Sequence, residues 1–127
     1  MRTAISAAII QDNKLLLVKK KFTWILPGGK PEKGETNLEC LCREINEELS
    51  GTKLKNIHFY NTFEGKTPHK KDLLRAEVYF ASINGHLRSV REEDSISEVT
   101  WAHKPSTYNL SDITSKIVYS LQQDKYI

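Results

Sequence analysis

Glu44, Glu47 and Glu48 are the residues of this 127-residue chain whose types and spacing could do chemistry. If the segment around them is helical, at about 100° per residue the three carboxylates fall within about 100° of arc. Like charges at i,i+3 and i,i+4 repel by roughly a few tenths of a kcal/mol per pair. Acids near a helix C-terminus also oppose its dipole. A divalent cation would remove the repulsion, since clustered carboxylates, carbonyls and water suit Mg²⁺ or Mn²⁺. The plain alternative is a solvated acidic helix face. The preceding segment favours a site. Gly28-Gly29 ends an apolar run and lets the backbone approach a ligand closely. Glu35 and Arg43 bracket the helix start and can pin the loop onto it. A sheet end, a glycine turn and an acidic helix face would together make a metal pocket.

Basic and aromatic residues nearby are candidates for substrate contacts. Lys19, Lys20 and Lys21 precede the glycine turn and could meet phosphates. Lys66, His69, Lys70 and Lys71 form a basic loop that could overhang the pocket. Trp24, Tyr60, Tyr79 and Phe80 could stack on a base, with a core role as the competing reading for each. Cys40 and Cys42 sit two apart on the same helix, point in different directions and are not expected to bridge. They read as reduced packing cysteines of a cytoplasmic protein.

These residues need elements to position them. Residues 2–10 and 15–18 are β-like and separated by the turn chemistry of Gln11-Asp12-Asn13-Lys14, which predicts an antiparallel hairpin. A short apolar piece, Phe22 to Leu26, runs into Pro27-Gly28-Gly29. A helix is predicted over 37–49, with Thr36 and Glu39 as a capping box and Gly51 as its stop. Its apolar stripe is Leu38, Leu41, Cys42, Ile45 and Leu49. Strands are predicted around 55–64, over 73–83, after the turn Asn84-Gly85 (His86 to Val90), and over 99–102. Ser111 can cap a second helix that buries Ile113, Ile117, Val118 and Leu121. This order predicts an α+β sandwich, a mixed or antiparallel sheet with helices packed on it, as one domain over 1–127.

Composition sets the outer bounds. The hydrophobic fraction is 39% and the charged fraction 28%, as in soluble globular proteins. Apolar runs of four residues, such as Ala7 to Ile10, exclude a transmembrane helix. MRTAISAAII passes straight into QDNK without a leader arrangement, so no signal peptide is expected. A net charge of +3 permits an anionic partner but does not call for nucleic acid.

Gly29 to Gly51 resembles the Nudix box of the Nudix (MutT-like) hydrolases, G-x5-E-x7-R-E-U-x-E-E-x-G-U, with U an aliphatic residue. Gly29, Glu35, Arg43-Glu44-Ile45 and Glu47-Glu48 take their places in that pattern. It slips at the tail, where Ser50 stands in place of the glycine and Gly51 in place of the aliphatic residue. Trp24 to Gly29 and Glu98 to Trp101 look like the family's flanks. The resemblance implies a Nudix-like α/β/α sandwich with a mixed sheet between helices. It implies Mg²⁺-dependent (or Mn²⁺-dependent) hydrolysis of a phosphoanhydride in a nucleoside diphosphate linked to a group X. The metal ligands it implies are Glu44, Glu47, Glu48 and the Gly28 carbonyl. By the same resemblance Gly29, Glu35 and Arg43 support them; Lys19, Trp24 and Lys70 are the candidate substrate contacts, against a solvated surface for the lysines and a core role for Trp24. An additional acid or base before the late Trp falls on Ser95 by position, and Glu93 or its neighbour Asp94 is the candidate. The small-molecule partner is a nucleotide, most simply a nucleoside triphosphate. ADP-ribose, a nucleotide sugar, or a non-catalytic nucleotide-binding module are the alternatives. Members are often homodimers, though nothing in the sequence identifies an interface.

Overall fold

The computed structural model describes residues 2–66, 72–85 and 96–127. Lys70, Glu93, Asp94, the other residues of the basic loop from His69 to Lys71, and the strand expected over His86–Val90 lie outside them.

The predicted hairpin forms from β1 (Arg2–Gln11) and β2 (Lys14–Lys20). Asp12 and Asn13 turn it with φ of 52° and 61°, a left-handed geometry that Asp and Asn tolerate better than other side chains. β3 (Thr23–Ile25) folds back on β2, and β4 (Gly28–Gly29) pairs with β1. Then come α1 (Asn37–Glu48), β5 (Thr52–Lys66), β6 (Leu73–Gly85), β7 (Glu98–Ala102) and α2 (Asp112–Gln123). The strand order is β3-β2-β1-β6-β5, with β4 added on β1 and β7 on β2. β1 and β6 run parallel, from Arg2 opposite Leu74 to Ile9 opposite Ala81, and the other pairs are antiparallel. The sheet is therefore mixed.

Side-chain alternation along β1 and β2 makes the layers. Ile5, Ala7, Ile9, Leu16 and Val18 face α1 and bury its Cys40, Leu41 and Ile45. Ala8, Leu15, Leu17, Ala76 and Val78 face α2 and bury Ile113, Ile117, Val118 and Leu121, as its spacing predicts. The result is the α/β/α sandwich. The capping box of α1 is present: the Glu39 N–H donates to Thr36 Oγ1 at 3.2 Å and the Thr36 N–H to Glu39 Oε1 at 3.0 Å. Its buried stripe differs from the expected one. Leu38 is 48% exposed and Cys42 is exposed, whereas Cys40 is fully buried. The face that meets the sheet is centred on Leu41, Ile45 and Glu48, one carboxylate included.

Candidate active site

The site is built where the end of α1 meets β4. Gly28 holds φ +148°, and a Cβ there would collide with the Ile5 carbonyl of the paired strand. At Gly29 a Cβ would collide with the Glu44 carboxylate. The glycine pair thus lets two acids of α1 lie against the backbone of a strand. Glu48 is the deeper one, at 6% exposure. Its Oε1 accepts the Gly28 N–H at 2.7 Å. Its Oε2 is buried without a hydrogen bond of good geometry, and the Lys20 ammonium stands 3.3 Å away as an ion pair. Burial pushes this carboxyl up to about 7; the Lys20 charge and the Gly28 N–H pull it back only in part.

Arg43 organises the remaining acids. Its Nε donates to Glu35 Oε2 at 2.8 Å and its Nη2 to Glu35 Oε1 at 3.0 Å, a two-pronged pair. Nη1 donates to Glu44 at 2.9 Å, and Nη2 reaches the Lys30 carbonyl at 3.1 Å. The guanidinium holds Glu35 below its usual carboxylate range. The loop before α1 is therefore tied down to the helix as the bracketing positions suggest. Glu47 lies outward, half exposed, 3.4 Å from Arg43.

Among the described residues no three side chains of His, Cys, Asp or Glu converge as a finished metal cage. Glu44 leans on Gly29 and Arg43, Glu48 is bonded to Gly28, and Glu47 faces outward. The donor chemistry nevertheless fits a hard divalent cation. Three carboxylates lie within little more than one turn at the end of α1, and one of them, Glu48, keeps a buried oxygen without a hydrogen bond.

A cavity of about 190 Å³ opens beside the glycine pair, between the sheet and the start of α2. Lys20 and Lys30 line it, together with Gly28 and Gly29. Its remaining wall is mainly aliphatic. Neither Lys19 nor Trp24 lines it. Lys19 pairs with Glu98 at 3.7 Å and lies over the Trp24 ring. Trp24 packs edge-on against Tyr108 at 5.3 Å in the α2-side core. The lysine that reaches the site is Lys20. Strand parity explains its contact with the acids: Lys20 shares a face with Leu16 and Val18, which pack toward α1, and it meets Glu48 there, while its place at the end of β2 also brings it to the rim of the cavity.

Among the described residues no helix is long and apolar enough to cross a membrane. The family described as NUDIX domain matches residues 1–114. Similar solved structures include a MutT NUDIX hydrolase from Burkholderia pseudomallei, 29% identical over 96% of both chains, with a TM-score of 0.76. A UDP-X diphosphatase is 22% identical over 98% of this chain and 64% of its own, with a TM-score of 0.76. The NUDIX domain of Shewanella oneidensis NrtR, in complex with ADP ribose, is 17% identical over 98% of this chain and 88% of its own, with a TM-score of 0.77. No curated protein sequence matches the chain.

Proposed function

Because the chain belongs to the Nudix family of hydrolases, we propose that it cleaves a nucleoside triphosphate to the monophosphate and pyrophosphate. Water adds to one phosphorus, the P–O bond of the anhydride breaks, and the water's proton passes to a carboxylate of the site. The observation that carries this reading is the buried Glu48 carboxylate bonded to Gly28 beside a cavity that Lys20 and Lys30 also line.

Each residue then has a task. Glu44, Glu47 and Glu48, with the Gly28 carbonyl, hold the divalent metal; when bound, Mg²⁺ neutralises phosphate charge and acidifies a water. Arg43 and Glu35 fix the direction of Glu44 and the loop before α1 and do not touch substrate. Lys20 and Lys30 compensate charge on the phosphates, a role better matched to Lys20 than to Lys19 by their positions. Gly28 and Gly29 allow the close approach. A pyrophosphate is heavily anionic, so positioned positive charge is the main catalytic need. The intact acid set argues for turnover over a binding-only module.

The test is pyrophosphate release from a panel of nucleoside triphosphates, ADP-ribose and nucleotide sugars with millimolar Mg²⁺, with Glu48→Gln as control. Glu48-dependent cleavage of triphosphates supports the reading. Preference for ADP-ribose or a nucleotide sugar would replace the substrate class, and silence across the panel from folded protein would favour a binding module.

A further inference from the structure

α1 is tied to the sheet at both ends of one row of residues. Glu77 of β6 is the register partner of Ile5 of β1, and Ile5 is the register partner of Gly29 of β4. The row therefore runs Glu77, Ile5, Gly29 across three strands, and two strand spacings make it about 10 Å long. At one end the Glu44 carboxylate lies against Gly29. At the other, Asn37, the first residue of α1, donates from Nδ2 to Glu77 Oε2 at 2.7 Å and to the Tyr79 hydroxyl at 3.2 Å. The stretch of helix from Asn37 to Glu44 is also about 10 Å long. The two lengths match, so the first half of α1 crosses β1 along this row. Cys40 lies between the two anchors, fully buried, with its Sγ 3.7 Å from the Gly29 carbonyl oxygen.

Apolar contact holds most of α1 down, but it is non-directional and does not fix where along the row the helix stops. Among the described residues the other side-chain hydrogen bonds and ion pairs between α1 and the strands are made by Cys40 and Glu48, at Gly29, Gly28 and Lys20. Asn37 alone of these reaches β6. Its bond ends on a carboxylate, which makes it stronger than one between neutral groups. Glu77 is half-buried on a strand, on the face that Ile5 and Tyr79 turn toward α1. A carboxylate is an unfavourable choice for such a position unless a donor is held against it.

We propose that Asn37 and Glu77 are a positioning pair: they set where α1 seats along the row, and so where the Glu44 carboxylate lands against Gly29, an inference that rests on the hydrolase reading above. Neither residue touches substrate. A displacement of about 1 Å at reacting groups can cost on the order of a hundredfold in rate. One hydrogen bond to a charged partner is worth at least about tenfold in an equilibrium, which sets the scale of the effect.

The experiment exchanges donor and acceptor. Asn37→Asp sets one carboxylate against another and should lower kcat on the best substrate of the panel by about tenfold, with KM nearly unchanged. Adding Glu77→Gln restores a hydrogen bond in the opposite sense, from β6 to α1, and should bring kcat back to within about threefold of the parent. An acid in the first turn favours the helix dipole, so a role confined to helix stability predicts the opposite: Asn37→Asp harmless, and no gain from the second change. A further readout needs neither metal nor substrate. Because Cys40 lies between the anchors, the urea concentration at which its thiol becomes reactive reports the seating of α1. In Asn37→Asp that reaction should begin in less urea than the unfolding followed by the fluorescence of Trp24 and Trp101, which pack in the two core layers; in the parent and the double variant the two should coincide. Should Asn37→Asp fail to fold, Glu77→Gln alone, which keeps the acceptor and loses its charge, should cost about threefold in kcat. Either readout unchanged in the single variant, or a double variant no better than Asn37→Asp, would overturn the inference and leave the hydrolase reading intact. If the parent cleaves nothing in the panel, the hydrolase reading fails, and Cys40 exposure still decides whether the pair seats the helix.

Discussion

Glu48→Gln should make the metal-free protein more stable at pH 8 while removing most of its activity. Burial moves the Glu48 carboxyl from 4.5 to about 7 in the folded protein. At 1.36 kcal/mol per pH unit, its ionised form costs the folded state about 3 kcal/mol. The sign follows from the direction of the shift. Below pH 4.5 the group is protonated in both states and costs nothing. The cost grows as pH rises between the unfolded and folded values, and it is complete above pH 7. Glutamine keeps the acceptor for the Gly28 N–H and removes the charge, but it sets an amide beside the Lys20 ammonium where an ion pair stood. The net gain is therefore about 1–3 kcal/mol at pH 8, with little difference at pH 4. For a chain of this size that is roughly 4 °C of melting temperature per kcal/mol. The assay is urea unfolding of both proteins in EDTA from pH 4 to 9, read as the difference between them, beside kcat in Mg²⁺. The kcat should fall by about 10²–10⁴-fold. A stability difference that does not change with pH, or a variant that stays fully active, would refute the reasoning.

Three further outcomes follow from the same geometry. Arg43→Lys should lower kcat/KM by about 10–100-fold, because an ammonium cannot reproduce the two-pronged contact to Glu35 together with those to Glu44 and Lys30; steady-state kinetics checks it. Gly29→Ala should leave a folded protein with at least about tenfold lower activity, since the added methyl displaces the Glu44 carboxylate, a movable side chain; Gly28→Ala meets Ile5 backbone instead and should fail to accumulate as folded protein on expression. Thiol titration should count one fast-reacting cysteine in native protein, the exposed Cys42, while Cys40, fully buried with its thiol pushed up to about 11 by burial, reacts only in denaturant.

Both helices were legible from sequence because their signals are local. Thr36 and Glu39 cap α1 as read, and Ser111 caps α2 above its Ile113, Ile117, Val118 and Leu121 stripe. Which face of α1 turns inward was less legible. Counting apolar residues selected Leu38 and Cys42, yet the buried line runs Leu41, Ile45, Glu48 at i, i+4, i+7, and an apolar count passes over a carboxylate. Glu44, Glu48, Glu35 and Arg43 do gather around Gly28-Gly29, as the spacing suggested. Lys19 and Trp24 do not line the cavity: Lys19 pairs with Glu98 and Trp24 packs on Tyr108, while alternation along β2 turns Lys20 to the α1 face, where it meets Glu48. The parallel β1–β6 pairing could not be read locally, since nothing in either strand names a partner so far along the chain.

That pairing also governs when the protein can fold. Residue 2 meets residue 74, and loop closure over such a distance must precede any reward from the contact. At about 5–20 residues per second of synthesis, several seconds separate the making of β1 from the making of β6. During that interval β1 can gather β2, β4 and α1, while its other edge offers unpaired N–H and C=O groups to any neighbouring strand. The nascent chain therefore passes through a stage with the acidic helix already made and a bare sheet edge beside it, where aggregation competes with completion. Slowing synthesis between residues 66 and 85 would lengthen that exposure, and a faster passage would shorten it.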